Sequence, residues 1–340
     1  MRKTGLLSAV LFLSILTGCA GQYPAESETP AAALFEETEP SEGRIVVGFC
    51  ETGSESDWRR AHAASIRSAL SEEEGFYLLY EDAQQKLENQ IKAVRRFILQ
   101  DVDYIVFSPL VKDGWDVVLE EAKEAGIPVI VNDRQVDVSE DLYTCWIGSD
   151  AEKEGRDAGL WLADYLEKEG RDKEQINIVT IQGTLGASIQ IGRKDGFAEV
   201  LSEHDNWTML DMQTGDFTQT KGYEVMEDFL EKYDDIDVVV SENDNMTFGA
   251  IDAIHDAGKT CGPDGDIIIL SFDAVHAALE QMQKGDINAD FECNPMQGEK
   301  VKEIILALEA GREVEKKMYV EETYFDNTMD LEEILKTRMY

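Results

Sequence analysis

Ile45-Val-Val-Gly-Phe49, followed almost at once by Gly53-Ser-Glu-Ser-Asp-Trp-Arg59, is the stretch on which the reading of this chain turns. The first run is short, apolar and rich in β-branched residues, the pattern of a buried strand. The segment from Arg60 to Glu74 then reads as a helix, so the polar residues sit where a strand tip meets a helix N-terminus. Open α/β sheets bind small ligands at that place. Within five residues the stretch offers two carboxylates (Glu55, Asp57), a hydroxyl (Ser56), an indole (Trp58) and a guanidinium (Arg59). A flat apolar face, a planar two-pronged donor and paired acceptors suit a polyhydroxylated ring.

Outward from this stretch the same theme repeats. Strands are expected at 45–49, 76–80, 103–107, 128–132, 143–147, 176–182, 207–212, 237–241, 267–272 and 288–293. Helices are expected near 58–74, 84–100, 114–125, 150–169, 189–203, 219–232, 245–257, 274–284 and 295–310. The period is plain in one of them, where Trp115, Val118, Leu119 and Ala122 fall at i, i+3, i+4 and i+7. Strict β/α alternation with continuously apolar strands implies parallel sheets covered on both faces. A (β/α)8 barrel needs only eight strands; ten over this length favour two doubly wound, Rossmann-like lobes divided near Gly148-Ser-Asp150.

Polar residues recur after the strands. Asp133 and Arg134 follow 128–132, and a glycine-bearing turn, 183–188, follows 176–182 with Arg193 in the next helix. Asn243 follows 237–241 and Asp273 follows 267–272. The carboxyl ends of parallel strands share one edge, so two lobes facing each other would surround a ligand with these groups. Carboxylates accept from hydroxyls, Arg grips two oxygens at once, and Asn both donates and accepts. Competing structural roles exist: Asn243 and Asp273 suit helix N-caps, Asp133-Arg134 a surface ion pair, and Trp58 a core position.

At these residues the chain resembles the periplasmic sugar-binding proteins of ribose-binding type that serve ABC transporters, and within them the galactofuranose-binding group. The resemblance is carried by Gly53-Ser-Glu-Ser56, Trp58-Arg59, Glu88-Asn-Gln-Ile-Lys-Ala-Val-Arg95, Asp133-Arg134, Gly186-Ala-Ser188, Gly215-Asp-Phe-Thr218 and Asn243-Asp244, among others between about residues 44 and 310. It implies a type I binding-protein fold, two lobes joined by a hinge, closing on one sugar. It places 44–148 with about 294–320 in the first lobe and 149–293 in the second, with part of the later tail packed on the second. It assigns ligand contacts to Glu55, Ser56, Asp57, Trp58, Arg59, Asp133 and Arg134 on one side, and to Arg193, Asn243 and Asp273 on the other. Phe217 matches an aromatic that stacks on the sugar in ribose-binding relatives. Asp57 stands where the galactofuranose-type motif has a glycine, so the resemblance does not fix the sugar.

The ends of the chain set an expected compartment. A basic Met1-Arg-Lys3 and an apolar Leu6–Leu16 close on Leu16-Thr-Gly-Cys19, which resembles a bacterial lipoprotein signal with acylation at Cys19. Residues 1–18 then form a signal peptide and 19–43 an acidic, disordered linker. Loss of residues 1–18 leaves 29 Lys and Arg against 70 acidic residues, a net charge of −41. Such a charge repels nucleic acid and anionic membrane, leaving the N-terminal lipid as the membrane contact. The remaining cysteines, Cys50, Cys145, Cys261 and Cys293, allow three disulfide pairings, but Cys50, Cys145 and Cys293 each sit on or at the end of an expected strand, which favours unpaired core thiols. There is no Cys-x-x-Cys and the four His show no ligand spacing, so neither a metal nor any other cofactor is expected.

The function this favours is a lipid-anchored extracellular receptor that captures a monosaccharide and delivers it to an ABC permease. The alternative is a sensor that presents its closed form to a membrane histidine kinase. An enzyme, such as a glycosidase using Glu55 with Asp57 or Asp133, finds no acid and nucleophile set apart by the sequence. No Gly-x-Ser-x-Gly elbow, Walker loop or His-Glu-x-x-His occurs.

Overall fold

The computed structural model describes residues 43–340; the leader, Cys19 and the acidic linker up to residue 42 lie outside the described residues. The first lobe is built from β1 (Ile45–Glu51), α1 (Asp57–Ala69), β2 (Phe76–Asp82), α2 (Leu87–Leu99), β3 (Tyr104–Phe107), α3 (Asp116–Glu124), β4 (Val129–Asn132) and β5 (Cys145–Gly148). The second runs through α4 (Ala151–Lys168), β6 (Ile176–Gln182), α5 (Ser188–Leu201), β7 (Trp207–Thr214), α6 (Gln219–Lys232), β8 (Val238–Ser241), α7 (Asp244–Asp256), β9 (Ile268–Asp273), α8 (His276–Lys284) and β10 (Ala289–Glu292). The tail adds α9 (Gly298–Glu309), β11 (Lys317–Tyr319), β12 (Tyr324–Asp326) and α10 (Leu331–Leu335).

Two six-stranded sheets result, in the orders β11-β5-β4-β3-β1-β2 and β12-β10-β9-β8-β6-β7. Strand pairing is parallel throughout, except that β12 runs antiparallel to β10. This is the two-lobed architecture of type I binding proteins. The chain passes between sheets three times: from β5 to α4, from β10 to α9, and from β11 to β12. In each sheet the strand order reverses beside its first strand, β1 or β6, which opens a crevice at the carboxyl ends.

Alternating side chains of β1 explain its burial on both faces. Val47 and Phe49 join Ile66, Ile130 and Ile304 on one side, while Cys50 joins Phe97, Phe107 and Trp115 on the other. Full burial of each Val, Ile or Phe contributes about 1.5–3 kcal/mol. Trp115, Val118, Leu119 and Ala122 are buried together, as the period requires. The four later cysteines are all free and buried.

Two departures from the sequence reading have simple causes. Helix α1 stops at Ala69 rather than Glu74. Glu72, Glu73 and Glu74 instead form a separate single turn closed by left-handed Gly75, since three carboxylates at a helix C-terminus oppose its dipole. The strands β11 and β12 went unforeseen because each is three residues long and lies at a sheet edge, where short strands and charge are the rule.

Candidate functional site

The first wall of the interlobe cleft begins at the tip of β1. Ser56 caps α1, its hydroxyl accepting from the Arg59 backbone N–H at 3.0 Å, and this fixes the first turn from which Trp58 and Arg59 project. The Arg59 guanidinium is buried, and its Nη1 donates to Glu51 Oε1 at 3.0 Å and to Asp133 Oδ2 at 2.8 Å. Glu55 Oε1 lies 3.5 Å from Arg59 Nε. Arg134 extends beside them and donates to the Leu110 carbonyl at 3.0 Å. Burial would neutralise these carboxyls, but Arg59, aided by His62, holds Glu51 below the usual range, and Arg59 and Arg134 do the same for Asp133.

Behind Arg59 lies a row that the sequence did not reveal. His62 Nδ1 faces Glu51 Oε2 at 2.6 Å, and its Nε2 faces Asn132 Oδ1 at 2.7 Å. Asn132 Nδ2 in turn donates to Gln297 Oε1 at 2.6 Å, on the segment that returns from the second lobe. Trp58 stacks on His62 at 5.0 Å and donates Nε1–H to the Cys293 carbonyl at 2.6 Å. The available signal was His62 at i+4 from Trp58, on one helix face.

The second wall centres on Arg193. Its Nε donates to Glu154 Oε2 at 2.7 Å, Nη1 to the Glu242 carbonyl at 2.5 Å, and Nη2 to Asp273 Oδ1 at 3.3 Å. Asn243 caps α7 and also donates to Asp273 Oδ2. One guanidinium cannot keep several buried carboxyls ionised. Burial, opposed in part by Arg193, pushes Asp273 up to about 8. Burial likewise pushes Glu242 up to about 8 and shifts Glu154 upward. The C-terminal tail braces this wall: Arg338 donates to the Ala274 carbonyl at 2.7 Å, beside Asp273.

Three of the cleft residues hold left-handed backbone without being glycine: Asp133 at φ 63°, Phe217 at 60° and Asp273 at 106°. Each such position costs about 1–3 kcal/mol and persists where the surroundings impose it, commonly at functional sites. Phe217 packs flat against Gly183, where an added Cβ would fall 1.9 Å from the ring. Its ring meets the Arg134 guanidinium carbon at 4.9 Å, so the two walls touch. They also join through Lys112 N to the Gly186 carbonyl at 3.0 Å and Gln135 N to Ser188 Oγ at 2.8 Å. The lobes are closed.

Between the walls is a small cavity of about 20 Å³. Glu55, Ser56, Trp58, Arg59, Asp133 and Arg134 line it from the first lobe, and Arg193, Phe217, Asn243 and Asp273 from the second. Ile189 and Cys293, which the sequence did not single out, complete the lining. Asp57 is not among these residues. As the first residue after the cap, it turns outward to an ion pair with Arg60 and to Asn245 across the cleft. Asn245 Nδ2 donates to Asp57 Oδ2 at 3.0 Å, and the Asp57 N–H donates to Asn245 Oδ1 at 2.8 Å. Glu55 Oε2, Arg59 Nε and Arg134 Nε are buried without a hydrogen-bond partner, although carboxylates of Glu55 and Asp133 lie 3.5 and 3.8 Å from the two guanidinium nitrogens. Groups of this kind are usually hydrogen-bonded, so these three have bonding capacity that a polar ligand could use.

The geometry has counterparts. The family of periplasmic binding protein domains matches residues 47–313, spanning both sheets. The galactofuranose-binding protein YtfQ of Escherichia coli (strain K12) is 42% identical over 255 residues, covering 74% of this chain and 78% of that protein. A Mycobacterium smegmatis structure in complex with β-D-fucofuranose is 43% identical with a TM-score of 0.83, covering 87% of this chain and 95% of the other. The binding protein of the arabinose ABC transporter from Shewanella sp. ANA-3, bound to α- and β-L-arabinofuranose, is 38% identical with a TM-score of 0.81, covering 87% and 96%. With both sheets matched and such similarity over most of each relative's length, the chain belongs to the periplasmic binding protein family.

Proposed function

We propose that this protein captures a monosaccharide in furanose form in the interlobe cleft and delivers it, unchanged, to an ABC transporter permease. The observation that carries the reading is the set of buried atoms without a hydrogen-bond partner at the cavity: one carboxylate oxygen and two guanidinium N–H groups, flanked by two aromatic rings. Sugar hydroxyls would satisfy the first three, and the C–H face of the ring would lie against Trp58 and Phe217. With the lobes shut only about 20 Å³ remains between the walls, little more than room for a water molecule, so a sugar would enter through an opened cleft and the lobes would then close around it. Three similar proteins are named for, or hold, galactofuranose, fucofuranose and arabinofuranose, which supports a furanose over a pyranose.

Contacts made to both walls only when the lobes are shut would couple binding to closure. Asp133, held ionised between two guanidinium groups, suits hydrogen bonding to hydroxyls and not proton donation to a leaving group. Among the described residues no helix is long and apolar enough to cross a membrane. An acyl chain on Cys19 would hold the receptor at the outer face of the membrane, with the acidic linker as its tether.

The test is a thermal-shift and calorimetric screen of arabinose, galactose, fucose, ribose and cyclitols. Stabilisation by sugars that populate furanose rings is expected, with none from cyclitols. No shift with any sugar, or turnover of a bound one, overturns the reading. Arg134→Ala should remove the sugar-induced shift, losing about 2–5 kcal/mol of affinity while the unliganded protein stays folded.

A further inference from the structure

Helix α7 carries Asn243 at its cap and His255 in its last turn, about 18 Å further along its axis. At that distant end three side chains from separate segments converge: His255, Cys261 in the following loop, and Asp286 just past the glycine that ends α8. His255 Nε2 lies 3.9 Å from Cys261 Sγ and 3.5 Å from Asp286 Oδ1. All three donor atoms fall within 4.8 Å of one another. Both measured separations are long for hydrogen bonds. They are close to what two ligands of one tetrahedral ion show, since metal–ligand bonds of about 2.0–2.3 Å set donors about 3.4–3.6 Å apart.

The backbone holds these segments together. Gly262 donates to the Ile267 carbonyl at 2.9 Å, and a Cβ on it would come within 1.8 Å of the Gly285 carbonyl oxygen. The loops bearing Cys261 and Asp286 therefore abut. The site has a way in, because the His255 side chain is 45% exposed and that of Asp286 is 23% exposed, while Cys261 forms its floor. One thiolate, one imidazole and one carboxylate form a set that favours Zn2+ over Ca2+ or Mg2+, which take oxygen ligands.

We propose that His255, Cys261 and Asp286 form a zinc site on the second lobe, remote from the cleft, with a fourth position left for water. The ion ties the end of α7 to the loop after α8. Spacing conceals it in the sequence: His255 and Cys261 are six residues apart and Asp286 lies beyond another strand and helix. The thiol proton is displaced on binding, so affinity rises with pH.

Cd2+ is the spectroscopic probe. Titrating the whole, metal-free protein with Cd2+ should give one equivalent of thiolate-to-metal charge-transfer absorption, reversed by Zn2+. Cys261→Ser should abolish the band. The more exposed changes His255→Ala and Asp286→Asn, which spare the fold, should each weaken binding roughly tenfold or more. Absence of the band in the unaltered protein overturns the site. So does a band that survives in Cys261→Ser and vanishes in Cys293→Ser, which places the ion at Glu154, Cys293 and Glu322 instead.

Discussion

The two walls of the cleft solve the same electrostatic problem in opposite ways. In the first lobe, two guanidinium groups, Arg59 and Arg134, stand among Glu51, Glu55 and Asp133, and Glu51 and Asp133 stay ionised. In the second lobe, Arg193 alone serves Glu154 and Asp273 with Glu242 nearby, and burial prevails over attraction. A pre-paired wall meets a wall short of cations. The first therefore offers Asp133 as a fixed, ionised acceptor, while in the second Asp273, the one of these carboxyls that lines the cavity, keeps its proton and can donate a hydrogen bond.

Breaking the balance of the first wall should have the largest effect. Arg59→Ala leaves Glu51 and Asp133 buried without their shared cation, so about 3–5 kcal/mol of stability should be lost, together with sugar binding. Urea unfolding and calorimetry check this; a loss below about 1 kcal/mol would mean the pairing does not govern this wall. Next in size is Gly183→Ala, which displaces the Phe217 ring. It should cost about 1–3 kcal/mol of stability and weaken the contact between walls, seen as reduced sugar affinity.

The pH dependence separates the walls directly. Asp273 and Glu242 bind protons to about pH 8 when folded, whereas their ordinary values are 3.8 and 4.5. Between about pH 4 and 8 the folded state therefore holds more protons, and stability should fall as pH rises. Asp133 and Glu51 work the other way: their lowered values stabilise the fold above about pH 4, and that stabilisation is lost on acidification. Unfolding midpoints across this range should decline toward alkaline pH, and Asp273→Asn or Glu242→Gln should flatten the decline. A rise with pH would show that the second wall is ionised.

The smallest effect concerns Asp57, whose two hydrogen bonds to Asn245 bridge the lobes without entering the cavity. Asp57→Gly should weaken sugar binding by about 0.5–1.5 kcal/mol while leaving the order of sugar preference unchanged. A changed order would return Asp57 to the ligand.

Strand and helix periods were legible because they follow from apolar spacing alone, and the polar residues at strand tips followed from parallel topology. Ten lining residues named from the sequence lie at one cavity because both sheets present carboxyl ends to the same cleft. What was not legible depends on distance across the chain. Glu51 and His62 carry no motif and matter through what they touch, Glu51 pairing with Arg59 and His62 bonding Glu51 and stacking on Trp58; Cys293 lines the cavity because the second crossing passes it. Glu72 to Glu74 broke a helix that periodicity alone would have continued.

By itself, then, the sequence determined two alternating α/β lobes and a sugar-like chemistry at Trp58-Arg59 and Asp133-Arg134, since local spacing sets which face each residue occupies. Only the tertiary structure decided the protonation of the two walls and the outward turn of Asp57. Both depend on which charges burial brings together and how many cations lie among them, and residues far apart in the chain settle that count.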